Sequence, residues 1–119
     1  MSFHRSLTLE RWRTFAFGDQ LLMVANEVHR ARKAVEKGYA DSAREACLRA
    51  LDLFDLTTSA LDQPPPGRLR ELRRWREALA EQAVQPRPDL ATCTSLLKVL
   101  LLFSPQTAAQ IPELLRLPS

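Results

Sequence analysis

Apolar residues recur along this chain at intervals of three and four, the spacing that lines one face of an α-helix. Leu21, Val24, Val28, Ala31 and Val35 make one such stripe, the seam pattern of a helical bundle. Ala43, Cys47, Ala50, Phe54, Thr57 and Leu61 make a second, with a further row at Leu48, Leu51 and Asp55. Leu69, Leu72, Leu79 and Ala83 make a third, which also takes in Arg76. The spacing predicts helices over about residues 19–37, 41–62, 66–83 and 89–103, then a tail over 105–119. That tail carries an amphipathic turn or two around Ile111, Leu114, Leu115 and Leu117.

The breaks between the stripes have physical causes. Gly38 supplies the left-handed exit from the first helix. Asp41 or Ser42 is expected to cap the second, with Glu45 completing a capping box from Ser42. Pro64-Pro65-Pro66-Gly67 ends the second helix and starts the third, because proline tolerates only the first turn. Pro86 and Pro88 stop the third, Asp89 caps the fourth, and Ser104-Pro105 stops it. Gly18-Asp19 reads as a weak break and cap after an N-terminal arm. That arm carries Phe3, Trp12, Phe15 and Phe17 among Arg5, Arg11 and Arg13, with a helical turn from about Thr8.

Four helices with short connections predict an all-α, up-down-up-down antiparallel four-helix bundle with a short C-terminal tail helix. One domain over residues 1–119 is expected at this length. The fourth helix departs from the pattern. Leu96, Leu97, Val99, Leu100, Leu101, Leu102 and Phe103 are apolar nearly all round, more than one bundle seam hides. A subunit partner is the natural cover. Leu96, Leu97, Val99, Leu100, Leu101 and Phe103 are therefore expected at an oligomer interface.

Composition agrees with helix. Only three glycines occur, Ala, Leu, Arg and Glu dominate, and no alternating β-type run exists, so no strand is predicted. The net charge of +3 permits anion binding without demanding it. Cys47 and Cys93 sit on apolar stripes rather than in metal-type spacing, and no signal-peptide pattern opens the chain. Reduced core thiols in a cytoplasmic protein are expected. The apolar run at Val99–Phe103 is far too short to span a bilayer.

The charge is unevenly placed. Residues 68–77 hold five arginines in ten positions. Leu69, Leu72 and Trp75 make the buried stripe there, which turns Arg70, Arg73 and Arg74 outward with Arg68 beside them. Such a ridge attracts polyanions or pairs with neighbouring carboxylates. In an antiparallel hairpin centred near Pro64, Asp52 and Asp55 lie across from Arg73, Arg74 and Arg76. Arg76, on the apolar stripe and at least half buried, is expected to pair with Asp55 or Asp52. A second basic cluster, Arg30, Arg32, Lys33 and Lys37, ends the first helix, where cations complement the helix dipole. The two clusters fall at opposite ends of the bundle, so a ring of positive charge needs several copies.

Enzyme chemistry finds no support. The chain has no Gly-rich phosphate loop, no Gly-x-Ser-x-Gly and no His-Glu-x-x-His. His4 lies in the arm, and His29 stands beside arginines with Glu27 on another helix face. Glu27, Asp52 and Asp55 lack the Glu-x-x-His partner of di-iron bundles. No catalytic residue, metal site or cofactor is expected.

Three segments carry a resemblance: Asn26-Glu27-Val28-His29-Arg30-Ala31, Arg49-Ala50-Leu51-Asp52-Leu53-Phe54-Asp55-Leu56-Thr57, and Arg68-Leu69-Arg70-Glu71-Leu72 with Arg74, Arg76 and Glu77. In order and spacing, over roughly residues 12–104, they resemble small bacterial four-helix-bundle proteins. That family is related to the 23S rRNA intervening-sequence proteins and to Avd, the accessory variability protein of diversity-generating retroelements. The resemblance implies an up-down bundle, a homopentamer and no enzymatic activity. Avd-like members bind nucleic acid and a reverse transcriptase through a basic surface. Carried over by position, Asp52, Asp55, Arg68, Glu71, Arg74 and Arg76 match the family's polar positions. The leucine-rich fourth helix and the Glu81-Gln82-Ala83-Val84 end of the third depart from its aromatic pattern.

Two functional readings follow. The first is an oligomeric, non-enzymatic bundle that binds RNA, DNA or a nucleic-acid-bound protein through Arg68, Arg70, Arg73, Arg74, Arg30, Lys33 and Lys37. The second is a protein–protein interaction scaffold that binds no nucleic acid. Neither involves a membrane.

Overall fold

The computed structural model describes residues 8–116, and all their regular structure is helical. The helices are α1 (Leu9–Trp12), α2 (Phe17–Glu36), α3 (Ala40–Ala60), α4 (Pro66–Val84), α5 (Leu90–Leu101), α6 (Pro105–Ala108) and α7 (Ile111–Arg116). Phe3, His4 and Arg5 of the expected arm lie outside the described residues, as do Leu117 and the side chains of Leu114 and Leu115.

The stripes fold as their period requires. Leu21, Val24, Val28, Ala31 and Val35 are all buried, as are Ala43, Cys47, Ala50, Phe54 and Thr57. Leu48, assigned to a second inward row, is instead exposed. Helix α2 packs along α3 and α5, and each of those packs on α4, so the four long helices share one core. Arg68 reaches the Phe103 carbonyl and Trp75 reaches that of Leu96, so numbers rise along α4 as they fall along α5. Those two helices are antiparallel.

Boundaries follow local chemistry. The Tyr39 amide donates to the Ala34 carbonyl and the Gly38 amide to Val35, the paired closure of a Schellman motif. Gly38 takes the left-handed conformation that closure needs, at φ 81°. Asp89 caps α5, accepting from the Thr92 amide at 2.9 Å, and the Thr92 hydroxyl and amide hold its carboxyl below the ordinary range. The capping box from Ser42 does not form. Helix α3 begins one turn earlier than that box allows, with Tyr39 at the cap and no side-chain cap bond. Asp41 pairs with Arg44 instead.

Gly18 does not break α2. It lies inside the helix, and a Cβ there would run into the end of the Gln106 side chain, so its bareness makes room for that side chain. The Gln106 amide donates to Asp19 at 3.0 Å across the same contact. The segment carrying Trp12 also turns inward. Its indole donates to the Thr57 hydroxyl at 3.0 Å, and Thr57 donates to the Leu53 carbonyl at 3.0 Å. Gln20 holds the Trp12 and Phe15 carbonyls at 2.9 and 3.1 Å. Buried polar groups are satisfied within this plug.

The fourth long helix needs less outside cover than its composition implies. Leu96, Leu97, Leu100, Leu101 and Phe103 are all buried within the single chain, against the expectation that they face a partner. The cover comes from α2 and α4, with α7 lying against α5 as well. Val99 and Leu102 alone among that run are open, at 44% and 57% exposure. Cys47 and Cys93 are buried free thiols, and the Cys93 thiol beside it, together with burial, holds Cys47 protonated.

Candidate interaction surface

The arginine run on α4 divides by role. Arg76 pairs bidentately with Asp55, Nε to Oδ1 at 2.6 Å and Nη2 to Oδ2 at 3.0 Å, and is just over half buried. Asp55 is one of the two carboxylates expected from the hairpin register, Asp52 being the other, and it pushes the Arg76 guanidinium further up. Arg68 turns inward. Its Nη1 donates to the Phe103 carbonyl at 2.7 Å, and the guanidinium lies 5.7 Å from the Phe17 ring centroid. A cation at the exit of α5 meets the negative end of that helix, and the Thr107 hydroxyl donates to Leu101 there at 2.5 Å. Arg68 thus ties α4, α5 and the start of α2 together.

Arg70, Arg73 and Arg74 remain exposed, and none makes an ion pair among the described residues. Lys33 and Lys37 are exposed as well, whereas Arg30 pairs with Glu27 at 3.0 Å. Along α3 the α2 cluster lies by Arg49, which meets Glu27 beside Arg30, and the α4 cluster lies past Asp55, which meets Arg76.

The outward face between α4 and α5 holds a groove of about 390 Å³. Trp75, Leu96, Val99 and Phe103 form its apolar lining, with Glu71 and Arg74 at its edge. Trp75 anchors the floor: its indole donates to the Leu96 carbonyl at 2.8 Å and its ring meets Phe54 at 4.6 Å between centroids. Val99 and Leu102 extend the apolar surface along α5. Glu71, like Arg74, makes no ion pair among the described residues.

Two buried charges on α2 escape the sequence pattern. Glu27 is only 6% exposed and joins two arginines, Nη1 of Arg30 at 3.0 Å and Nε of Arg49 at 2.7 Å. Arg32, grouped by sequence with the surface cluster, is 8% exposed, and its Nε and Nη1 find no hydrogen-bond partner. Both ring nitrogens of His29, one turn earlier, are likewise buried without one. Burial, then the charges of Arg32 and Lys33, hold His29 below its usual value against the pull of Glu36. The only signal for Arg32 was its place three and four residues from Val28, Val35 and Glu36, which a surface cation shares.

A buried guanidinium without a carboxylate carries its desolvation uncompensated. Arg32→Leu is accordingly expected to raise the free energy of unfolding by about 1–4 kcal/mol, measured as an increased urea midpoint at unchanged slope. A lowered midpoint would show that the guanidinium contributes an interaction the aliphatic side chain cannot replace.

Among the described residues no group of three or more His, Cys, Asp or Glu side chains is placed to hold a metal ion. None of the helices there is long and apolar enough to cross a membrane. Comparison with protein-family models, curated proteins and solved structures finds no match.

Proposed function

We propose that the chain is a non-enzymatic, cytoplasmic interaction module, its four long helices arranged up-down-up-down, that docks a protein partner on its α4–α5 face. The open apolar groove over Trp75, Leu96 and Phe103 carries this reading, because Val99 and Leu102 continue it onto exposed surface. Charged side chains at its edge supply the polar rim that interfaces place around an apolar centre.

The groove is tested with the fluorescent probe anilinonaphthalene sulfonate on dilute protein. Saturable binding to the wild type is expected, weakened about tenfold in the Val99→Asp, Leu102→Asp double variant, which changes two exposed side chains and leaves helicity intact. Absence of binding, or binding that the double variant leaves unaltered, removes the reading.

A second reading has its own support in Arg70, Arg73 and Arg74, which lack carboxylate partners among the described residues. These could hold phosphates of RNA or DNA, as the resemblance implies. Affinity for a short RNA and a short DNA should then fall log-linearly with salt, and fall uniformly in an Arg70, Arg73, Arg74 triple glutamate variant.

A further inference from the structure

We infer that the occupant of the α4–α5 groove is a second copy of this chain, seated by a two-fold contact in which Glu71 of each copy meets Arg74 of the other. The inference rests on the docking reading above and names its partner. The carrying observation is on α4, where Glu71 and Arg74, three residues apart and of opposite charge, are exposed beside the groove, with exposed Gly67 one turn before them. Two antiparallel helices related by a two-fold axis between positions 71 and 74 bring acid opposite base twice over. The same operation sets Gly67 opposite Ala78. A contact in which residue i meets j, and j meets i, is what a closed pair requires.

Local geometry favours this occupant. Glu71 and Arg74 both edge the apolar groove, are exposed, and make no ion pair among the described residues, so each is available. One turn before Glu71 the backbone is unobstructed: nothing lies within 4 Å of where a Cβ on Gly67 would be. A neighbouring helix can therefore approach there, and Ala78 opposite, partly buried against its own core, adds only a methyl. Val99, which lines the groove, and Leu102, at the C-cap of α5, are the exposed apolar side chains such a neighbour would cover. The two reciprocal ion pairs set register and orientation, while apolar burial supplies the association energy.

An isologous contact of this kind closes at two copies. The pentamer implied by the family resemblance needs a head-to-tail contact and is a competing outcome.

Sedimentation velocity over a range up to about 100 μM tests the inference on the full chain. The wild type is expected to pass from one copy to two. Glu71→Arg alone and Arg74→Glu alone each place like charges together twice and are expected to weaken the pair at least about tenfold. The Glu71→Arg, Arg74→Glu double variant exchanges the charges on both copies and is expected to restore it. Helicity and urea midpoints, measured alongside, separate loss of pairing from loss of fold. A five-copy species, a pair indifferent to the single reversals, or a double variant no tighter than the singles overturns the inference. A wild type that stays single overturns it too. In that case probe binding that depends on Val99 and Leu102 preserves the docking reading for another partner, and its absence removes both.

Discussion

Replacing Trp75 by alanine is expected to cost about 3–5 kcal/mol of stability, among the largest effects of any single substitution in this chain. The indole is 3% exposed and lies between Phe54 and the backbone of α5, so truncation leaves a cavity that rigid helices fill poorly. The Trp75→Phe variant separates packing from hydrogen bonding. It keeps an aromatic ring against Phe54 and loses the donor to the Leu96 carbonyl, which as a helix carbonyl also accepts within α5. Its cost should be only about 1 kcal/mol. Equilibrium urea unfolding followed by far-ultraviolet circular dichroism measures both. Equal losses for the two variants would mean that the hydrogen bond, not the ring, ties α4 to α5.

Glu27→Ala is expected to cost about 3 kcal/mol, because it removes the buried carboxylate to which Arg30 and Arg49 both donate. Arg49 keeps 25% of its side chain exposed and Arg30 keeps 66%, which places the effect at the low end of the range for broken buried pairs. Glu27→Gln retains an acceptor and loses the charge, so a loss of roughly 1–2 kcal/mol is expected. The same urea titrations decide the matter. A change within about 1 kcal/mol for the alanine variant would rank Glu27 with ordinary surface ion pairs. Its contrast with Arg32 lies in partnership: Glu27 has two guanidinium groups within hydrogen-bond range and Arg32 has no partner for two of its nitrogens. Removing the first charge should harm the fold, and removing the second should help it.

Much of the helical framework was readable in advance. Pro66 opens α4, Gly38 closes α2, and Asp89 caps α5, each through backbone chemistry that one residue determines. The Arg76–Asp55 pair was also legible, since a three-proline turn sets the register of the helices on either side. Other features were not. Gly18 looked like a break because a lone glycine disfavours helix, yet it serves a contact with Gln106 far along the chain. Ser42 and Glu45 matched a capping box, and the Schellman closure at Gly38 carried the backbone into α3 too early for it to form. Arg68 belonged by sequence to the outward ridge and is held instead by the Phe103 carbonyl.

The chain by itself determined where helices begin, where they stop and which side of each is apolar, because the helical period and the limits on proline and glycine are properties of a single segment. Only the tertiary structure decided which of many similar charges lie inside and how far α5 is covered. Glu27 and Arg32 are buried while Arg70, Arg73 and Arg74 stand open, although all five are Glu or Arg residues on amphipathic helices. Burial is set by which neighbour lies against which face, a relation between segments distant in sequence, so no stripe along one helix contains it.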